Sequence, residues 1–128
     1  SSQVLNIDAM PLCIEKISGY FSVNDVPVQL EMDQYYIYRE HTDPKNVVIT
    51  DLNGFVISIP NVEGKGQYKP DAIVFNHPTI SDCQLDSCRD IKIWIDEISA
   101  PGAIVKIRLD GMMDGNIVEG EFVNLLKY

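Results

Sequence analysis

The stretch Ile91-Lys92-Ile93-Trp94-Ile95-Asp96 places an apolar side chain at every second position, and Val105-Lys106-Ile107-Arg108-Leu109-Asp110 repeats the pattern. A third stretch, Val118-Glu119-Gly120-Glu121-Phe122, does the same. Strict alternation with β-branched residues is typical of a strand that buries one face. These stretches therefore predict a C-terminal three-stranded meander over about residues 91–126.

Turn-forming residues separate these strands. Ser99-Ala100-Pro101-Gly102 has a proline where φ is fixed and a glycine where φ can be positive. Asp110-Gly111 and Asp114-Gly115 are dipeptides typical of hairpin turns. The connections are thus short enough for neighbouring antiparallel strands.

Shorter apolar segments upstream predict further strands, and recurrent prolines argue against long helices. Together they predict an all-β fold, a single-domain antiparallel β-sandwich or barrel spanning residues 1–128, with residues 1–13 as an extended N-terminal segment. The predicted upstream strands cover residues 14–22, 26–32, 35–38, 47–51, 54–59, 64–68 and 72–75.

Composition narrows the class of partner. The chain has 128 residues, with 10 basic and 19 acidic side chains and a net charge of −9. Nucleic acid is not expected as a partner, because phosphate binding depends on clustered Lys and Arg. Anionic membrane surfaces are disfavoured for the same reason. No apolar run approaches the roughly 20 residues that a membrane helix needs, so no transmembrane segment is expected.

Three cysteines, Cys13, Cys83 and Cys88, leave one thiol unpaired in any single-disulfide arrangement. Cys83 and Cys88 lie in a polar stretch and are separated by four residues, which allows a small closed ring. We predict a disulfide between them, with free thiols as the open alternative. Zinc is disfavoured, because its sites usually need four ligands in paired short spacings.

Neither of two loop motifs carries a convincing ligand site. The segment 110–116 brings Asp110, Asp114 and Asn116 near a turn, but it lacks the alternate carboxylates of an EF-hand. The Gly64-Lys65-Gly66 segment lacks the hydroxyl and the helix of a phosphate-binding loop. A hairpin turn and a bend explain them better, so we expect neither a metal nor a cofactor.

Catalytic signatures are also missing. His41 lies in a polar turn, His77 precedes Pro78, and neither is part of a nucleophile motif. Paired carboxylates for glycoside hydrolysis occur by chance among so many acids. We therefore assign no catalytic residue and expect a protein that is not an enzyme.

The aromatic residues are the candidate binding residues. Tyr35, Tyr36 and Tyr38 cluster on one predicted strand, and Trp94 falls on the outward face of another. Exposed aromatic rings often mark contact surfaces for protein or carbohydrate. Packing is the alternative for each of them, and alternation turns one of Tyr35 and Tyr36 inward.

Two further motifs carry a family resemblance. The segment 57–68 has the form I-S-I-P-N-x-x-G-x-G-x-Y, and residues 118–122 have the form V-x-G-x-F. In this order they resemble small β-rich lipoprotein domains of Bacteroidetes. The resemblance implies a compact β-sandwich or barrel at the cell envelope, held by a lipidated cysteine that precedes the mature chain. This chain differs in its Cys83–Cys88 loop and in Glu121, and the family implies no reaction.

The sequence is compatible with three functions. The leading hypothesis is a non-enzymatic domain of the cell envelope, periplasmic or on the cell surface, that binds a protein or glycan. The second is an acidic inhibitor or immunity protein that neutralises a cationic hydrolase, because opposite charges speed association. The third is a carrier that holds a small apolar ligand inside a barrel.

Overall fold

The computed structural model describes residues 17–28, 35–75 and 77–128, which form one curled sheet of eleven strands resembling half a barrel. The all-β prediction is confirmed. The strands in chain order are β1 (Ser18–Val23), β2 (Val26–Pro27), β3 (Tyr36–Arg39), β4 (Val47–Thr50), β5 (Val56–Ile59), β6 (Gly66–Tyr68), β7 (Ala72–Val74), β8 (Cys83–Gln84), β9 (Ile91–Glu97), β10 (Ile104–Met113) and β11 (Asn116–Lys127).

The predicted C-terminal meander is the centre of the sheet. β9, β10 and β11 pair antiparallel in sequence order, with a register shift between Lys106 and Ile107 in the β9–β10 pair. Asp114 and Gly115 form the two-residue turn between β10 and β11, both with positive φ, as a hairpin turn of this length requires. Asp110 and Gly111, expected at a turn, lie instead inside β10.

Gly111 is in the strand because the neighbouring backbone comes very close to it. Its φ is +155°, and a Cβ at this position would collide with the backbone of Asp90 and Ile91. The amide of Met112 donates to the carbonyl of Asp90 at 3.2 Å, which holds the two segments together. A glycine inside a strand often marks such an approach.

β11 joins two parts of the sheet because it changes partner along its length. The first arm contains β6, β9, β10, β1 and β2, and the second arm begins at β3. Val118–Val123 of β11 pairs with β1, whereas Leu126 and Lys127 pair with Ile37 and Tyr38 of β3. The β11–β3 pair is parallel, the one departure from antiparallel pairing among the described strands. Beyond β3, the second arm runs through β4, β5, β7 and β8.

The concave side of the sheet holds the core. The ring centroid of Phe21 in β1 lies 5.4 Å from the ring centroids of both Phe55 and Phe75 in the second arm. The ring centroid of Phe122 in β11 lies 6.1 Å from that of Phe55. Each buried ring stabilises the fold by about 2–3 kcal/mol relative to an exposed one. The other fully buried large side chains are Ile37, Ile49, Ile57, Ile59, Ile73, Ile91, Ile93, Ile95, Ile107 and Met113.

Several predicted segments extend beyond the described residues. Residues 14–16 of the predicted first strand and 29–32 of the predicted second strand lie outside them, as do Cys13 and the rest of the N-terminal segment 1–13. Within the described ranges there is no α-helix, only a 3-10 helix at Leu85–Cys88. No helical segment in these ranges is long and apolar enough to cross a bilayer.

Candidate functional site

The convex face of the central strands carries a row of polar and aromatic side chains. The register sets Trp94 of β9 beside Arg108 of β10, Arg108 beside Glu121 of β11, and Glu121 beside Tyr20 of β1. Their chain neighbours, such as Ile107 and Phe122, point into the core. We call these four residues the outer row; at the usual strand spacing it spans about 14 Å.

At one end of the outer row, Arg108 contacts the ring of Trp94. Its guanidinium lies 5.1 Å from the centroid of the Trp94 ring, within range of a cation–π contact. The same guanidinium donates to Asp96, with Nε at 2.9 Å from Oδ2 and Nη2 at 3.3 Å from Oδ1. This hydrogen bond lowers the pKa of Asp96 and raises that of Arg108. One face of Trp94 is therefore covered by a fixed cation.

The Tyr20 end of the outer row is acidic. Glu121 lies directly opposite Tyr20, and Glu119 lies directly opposite Asp110 in the β10–β11 pair. All three carboxylates are exposed. The pKa of Tyr20 is raised, first by burial and then by the negative charges of Glu121, Glu119 and Asp110. We call Asp110, Glu119 and Glu121 the acidic strip.

Tyr35 does not lie on this face. It is only 2% exposed, its hydroxyl shares one proton between the carbonyls of Val123 and Ser18, and its ring contacts Phe122. Burial raises the pKa of Tyr35 to about 12, although the bond to Val123 lowers it. Tyr35 is therefore the inward-facing member of the Tyr35–Tyr36 pair, and it packs at the junction of β1, β3 and β11.

Tyr36 and Tyr38 are half-buried, and alternation along β3 places both on the side opposite Ile37. The ammonium of Lys127 lies 4.9 Å from the centroid of the Tyr36 ring. β3 meets β11 at Leu126, five residues from Glu121, which is about 17 Å along a strand. The structure therefore separates these tyrosines from Trp94.

Hydrogen bonds within its own turn engage one of the two histidines, His77. His77 Nδ1 accepts hydrogen bonds from the amides of Thr79 and Ile80, both at 3.1 Å, so it caps its own turn. His41 lies in an exposed bend. Within the described residues, no group of three or more His, Cys, Asp or Glu side chains is placed to hold a metal ion.

Cys83 and Cys88 are joined by a disulfide, the pair that the sequence predicts. Both cysteines are buried, and the ring between them contains the 3-10 helix. Leu85 on this helix is 72% exposed with a φ of +50°. The disulfide therefore fixes the end of the second arm and holds an apolar side chain in solvent.

The Gly64-Lys65 segment is a bend that leads into β6, as expected. The amide of Gly64 donates to the hydroxyl of Tyr68 at 3.2 Å, and this hydroxyl donates to the Gly64 carbonyl at 2.5 Å. Side-chain and backbone groups of the bend thus satisfy one another. The geometry supports a structural turn.

Comparison with known proteins gives no match: no family model, no curated protein and no solved structure is similar to this chain.

Neither the place of Tyr20 nor the contact of Arg108 with Trp94 is predictable from the sequence alone. The alternation in residues 105–110 already turned Arg108 outward, but the pairing register that sets it beside Trp94 is not visible in one sequence. Tyr20 lies in a short predicted strand whose partner, β11, is a hundred residues away along the chain. Such juxtapositions come from topology rather than local pattern.

Proposed function

We propose that this protein is a non-enzymatic binding domain of the cell envelope, and that its outer sheet face contacts a basic surface on a protein partner. The observation that carries the proposal is the acidic strip beside Tyr20, whose three carboxylate residues are exposed on the outer sheet face. A net charge of −9 attracts a basic partner at long range. The acidic strip would then pair with the partner's basic side chains at short range.

The pair formed by Asp110 and Glu119 supports a cationic partner. Like charges directly opposite each other on a sheet destabilise the pair. Lys92, opposite Asp110 on β9, offsets part of this repulsion on one side only. A lysine or arginine from a partner would offset the rest, and binding would then relieve a cost that the free protein carries.

Tyr20 adds an aromatic contact to the acidic strip. Its side chain is 47% exposed and stands next to Glu121. A cation held by the carboxylates can lie over an aromatic ring at little further cost in conformational freedom. This combination of aromatic and carboxylate groups favours arginine or lysine side chains over neutral groups.

A protein partner is favoured over a glycan by the state of Trp94. Sugar rings bind to tryptophan through the free face of the indole. Arg108 covers one of the two faces of the Trp94 ring and is itself fixed by Asp96, so less of the indole is open to a sugar. Aromatic and arginine side chains, such as Tyr20, Trp94 and Arg108 on this face, are enriched in protein contacts.

The proposed compartment follows from the disulfide and from the resemblance to envelope lipoprotein domains. Disulfides persist in oxidising compartments such as the bacterial periplasm and cell surface. A non-enzymatic role is supported by His77, whose Nδ1 accepts hydrogen bonds from the amides of its own turn rather than from a nucleophile.

A second candidate is an inhibitor that neutralises a cationic hydrolase. It is favoured by the same acidic strip and the same net charge. The two functions differ in the fate of the partner, because an inhibitor abolishes hydrolase turnover at saturation and a simple binding domain does not.

The test is binding kinetics against a panel of purified basic proteins, cell-wall hydrolases included, and of neutral glycans. We expect association with at least one basic protein, with a rate that falls steeply as salt rises. The double variant Glu119→Gln/Glu121→Gln should slow association about tenfold at low salt. The matched control, Asp43→Asn/Glu63→Gln, changes the net charge equally at exposed positions outside the outer face.

Two results would overturn the proposal. One is equal slowing by both double variants, which would show that net charge alone matters. The other is binding to a glycan, indifferent to salt, with no binding to any basic protein.

A further inference from the structure

A groove opens where β11 changes partner, and we call it the seam groove. The ladder with β1 ends at Val123 and the pairing with β3 begins at Leu126, so Asn124 and Leu125 lie between the two. Tyr35 forms part of the groove lining. Its hydroxyl donates to the carbonyl of Val123, and its own carbonyl accepts a hydrogen bond from Asn124 Nδ2 at 3.0 Å. The groove has a volume of about 670 Å³.

The walls of the seam groove are apolar and exposed. Ile17 is 49% exposed, Leu125 46% and Tyr128 85%, and Tyr36 belongs to the same lining. Water against such a surface costs free energy that an apolar occupant recovers. The volume lies within the range of small-molecule sites, roughly 300–1,000 Å³.

The charged side chain in the lining of the groove is a cation, opposite in sign to the net charge of the protein. Its lining includes Lys127 and, among the described residues, no aspartate or glutamate, although the chain has 19 acidic residues. The Lys127 ammonium is held 4.9 Å from the Tyr36 ring, at the edge of the apolar surface. This arrangement is complementary to a molecule with an apolar body and one negative charge.

We propose that the seam groove binds a small apolar anion, such as an aliphatic or aromatic carboxylate. The apolar body lies against Ile17, Leu125 and Tyr128, and the anionic group pairs with Lys127. This site is independent of the outer row and of the basic partner proposed above. It also differs from a carrier with a ligand in the barrel interior, because Phe21, Phe55 and Phe122 fill the concave side.

The experiment compares two fluorescent probes on the full chain. 8-Anilinonaphthalene-1-sulfonate carries a negative charge, and N-phenyl-1-naphthylamine has the same ring system without one. We expect both to bind with one-to-one stoichiometry and dodecanoate to displace them. Lys127→Gln should weaken the anionic probe about five- to tenfold and the neutral probe less than about twofold.

Leu125→Asp should weaken both probes about tenfold or more, since it places a charge against the apolar body. Ile117→Asp is the matched control: it introduces the same charge at another exposed apolar position of β11, outside the seam groove. Far-UV circular dichroism checks that both variants keep the sheet.

The proposal is overturned if neither probe binds, or if Ile117→Asp weakens binding as much as Leu125→Asp. It is also overturned if Lys127→Gln affects both probes equally, since the anionic preference then has no source. A dimer that dissociates on Leu125→Asp would make a second copy the occupant and contradict a small-molecule site. None of these outcomes depends on whether the outer row binds a basic protein.

Discussion

The hydroxyl of Tyr35 shares its single proton between two acceptors, the carbonyl of Val123 at 2.9 Å and the carbonyl of Ser18. These contacts tie the segment before β3 to the last pair of the β1–β11 ladder. Tyr35 therefore joins the two arms of the sheet at the point where β11 changes partner, which explains why it is buried.

Tyr35→Phe should lower the free energy of unfolding by about 1–3 kcal/mol, because two carbonyl groups lose a donor. The pKa of Tyr35 rises from 10.0 to about 12 on folding. Its contribution is therefore complete below about pH 10 and is lost as the pH rises towards 12. Urea denaturation at pH 7 and pH 11 measures both effects. The exposed Tyr20 provides the control variant, Tyr20→Phe, and an equal loss in that variant at pH 7 would contradict this role for Tyr35.

Arg108→Gln should raise the pKa of Asp96 towards its ordinary value, because the hydrogen bond that lowers it is weakened. Carbon-detected NMR titration of the Asp96 carboxyl measures this shift. Since the folded pKa of Asp96 lies below its ordinary value of 3.8, the pair stabilises the fold above that pH. The stabilisation is lost as the pH falls through the folded pKa.

The same variant should shift the emission of Trp94 to the red, because water replaces the guanidinium over the ring. Trp94 is the single tryptophan of the chain, so the signal is unambiguous. Lys45→Gln removes an equal charge at the Lys45–Glu63 pair and should leave the emission unchanged. Unchanged emission in Arg108→Gln would mean that the guanidinium does not cover the ring in solution.

Gly111→Ala should destabilise the protein by more than about 2 kcal/mol, since the new Cβ meets the backbone of Asp90 and Ile91 rather than a flexible side chain. Thermal denaturation gives the difference. Gly64→Ala is the matched control, because a Cβ there has nothing within 4 Å. Similar melting temperatures for the two variants would refute the close approach.

Alkylation of the denatured, unreduced protein should add one label per chain, at Cys13, because Cys83 and Cys88 are joined. Mass spectrometry counts the labels, and three labels would mean free thiols. The double variant Cys83→Ala/Cys88→Ala should lower the free energy of unfolding by about 2 kcal/mol or more, since it opens a short loop and leaves space in the core.

Local pattern was enough to predict the strands of the meander, because alternation over Ile91–Glu97 and Ile104–Met113 reports a single buried face. The hairpin at Asp114-Gly115 was equally readable, since its positive φ values favour those residues. The same type of dipeptide at Asp110-Gly111 predicted a turn that does not form. Its glycine is required by the close approach of the Asp90 backbone, a contact between segments that are distant in sequence.

The candidate site was only partly predictable. Outward orientation of Trp94 and Arg108 followed from alternation, but the order of strands that places Tyr20 and Glu121 beside them did not. The seam groove depends on the change of partner along β11 and on the parallel pairing with β3. Two-residue pairings of this kind leave no periodic signal in a sequence.

Titration of the isotope-labelled protein with a short lysine-rich peptide at low salt tests the proposed binding face most directly. We predict saturable NMR shifts at the indole N–H of Trp94 and at the amides of Tyr20 and Glu119, and none with a glutamate-rich peptide of equal length. Shifts confined to the seam groove, or the same shifts with both peptides, would contradict a basic partner at the outer face.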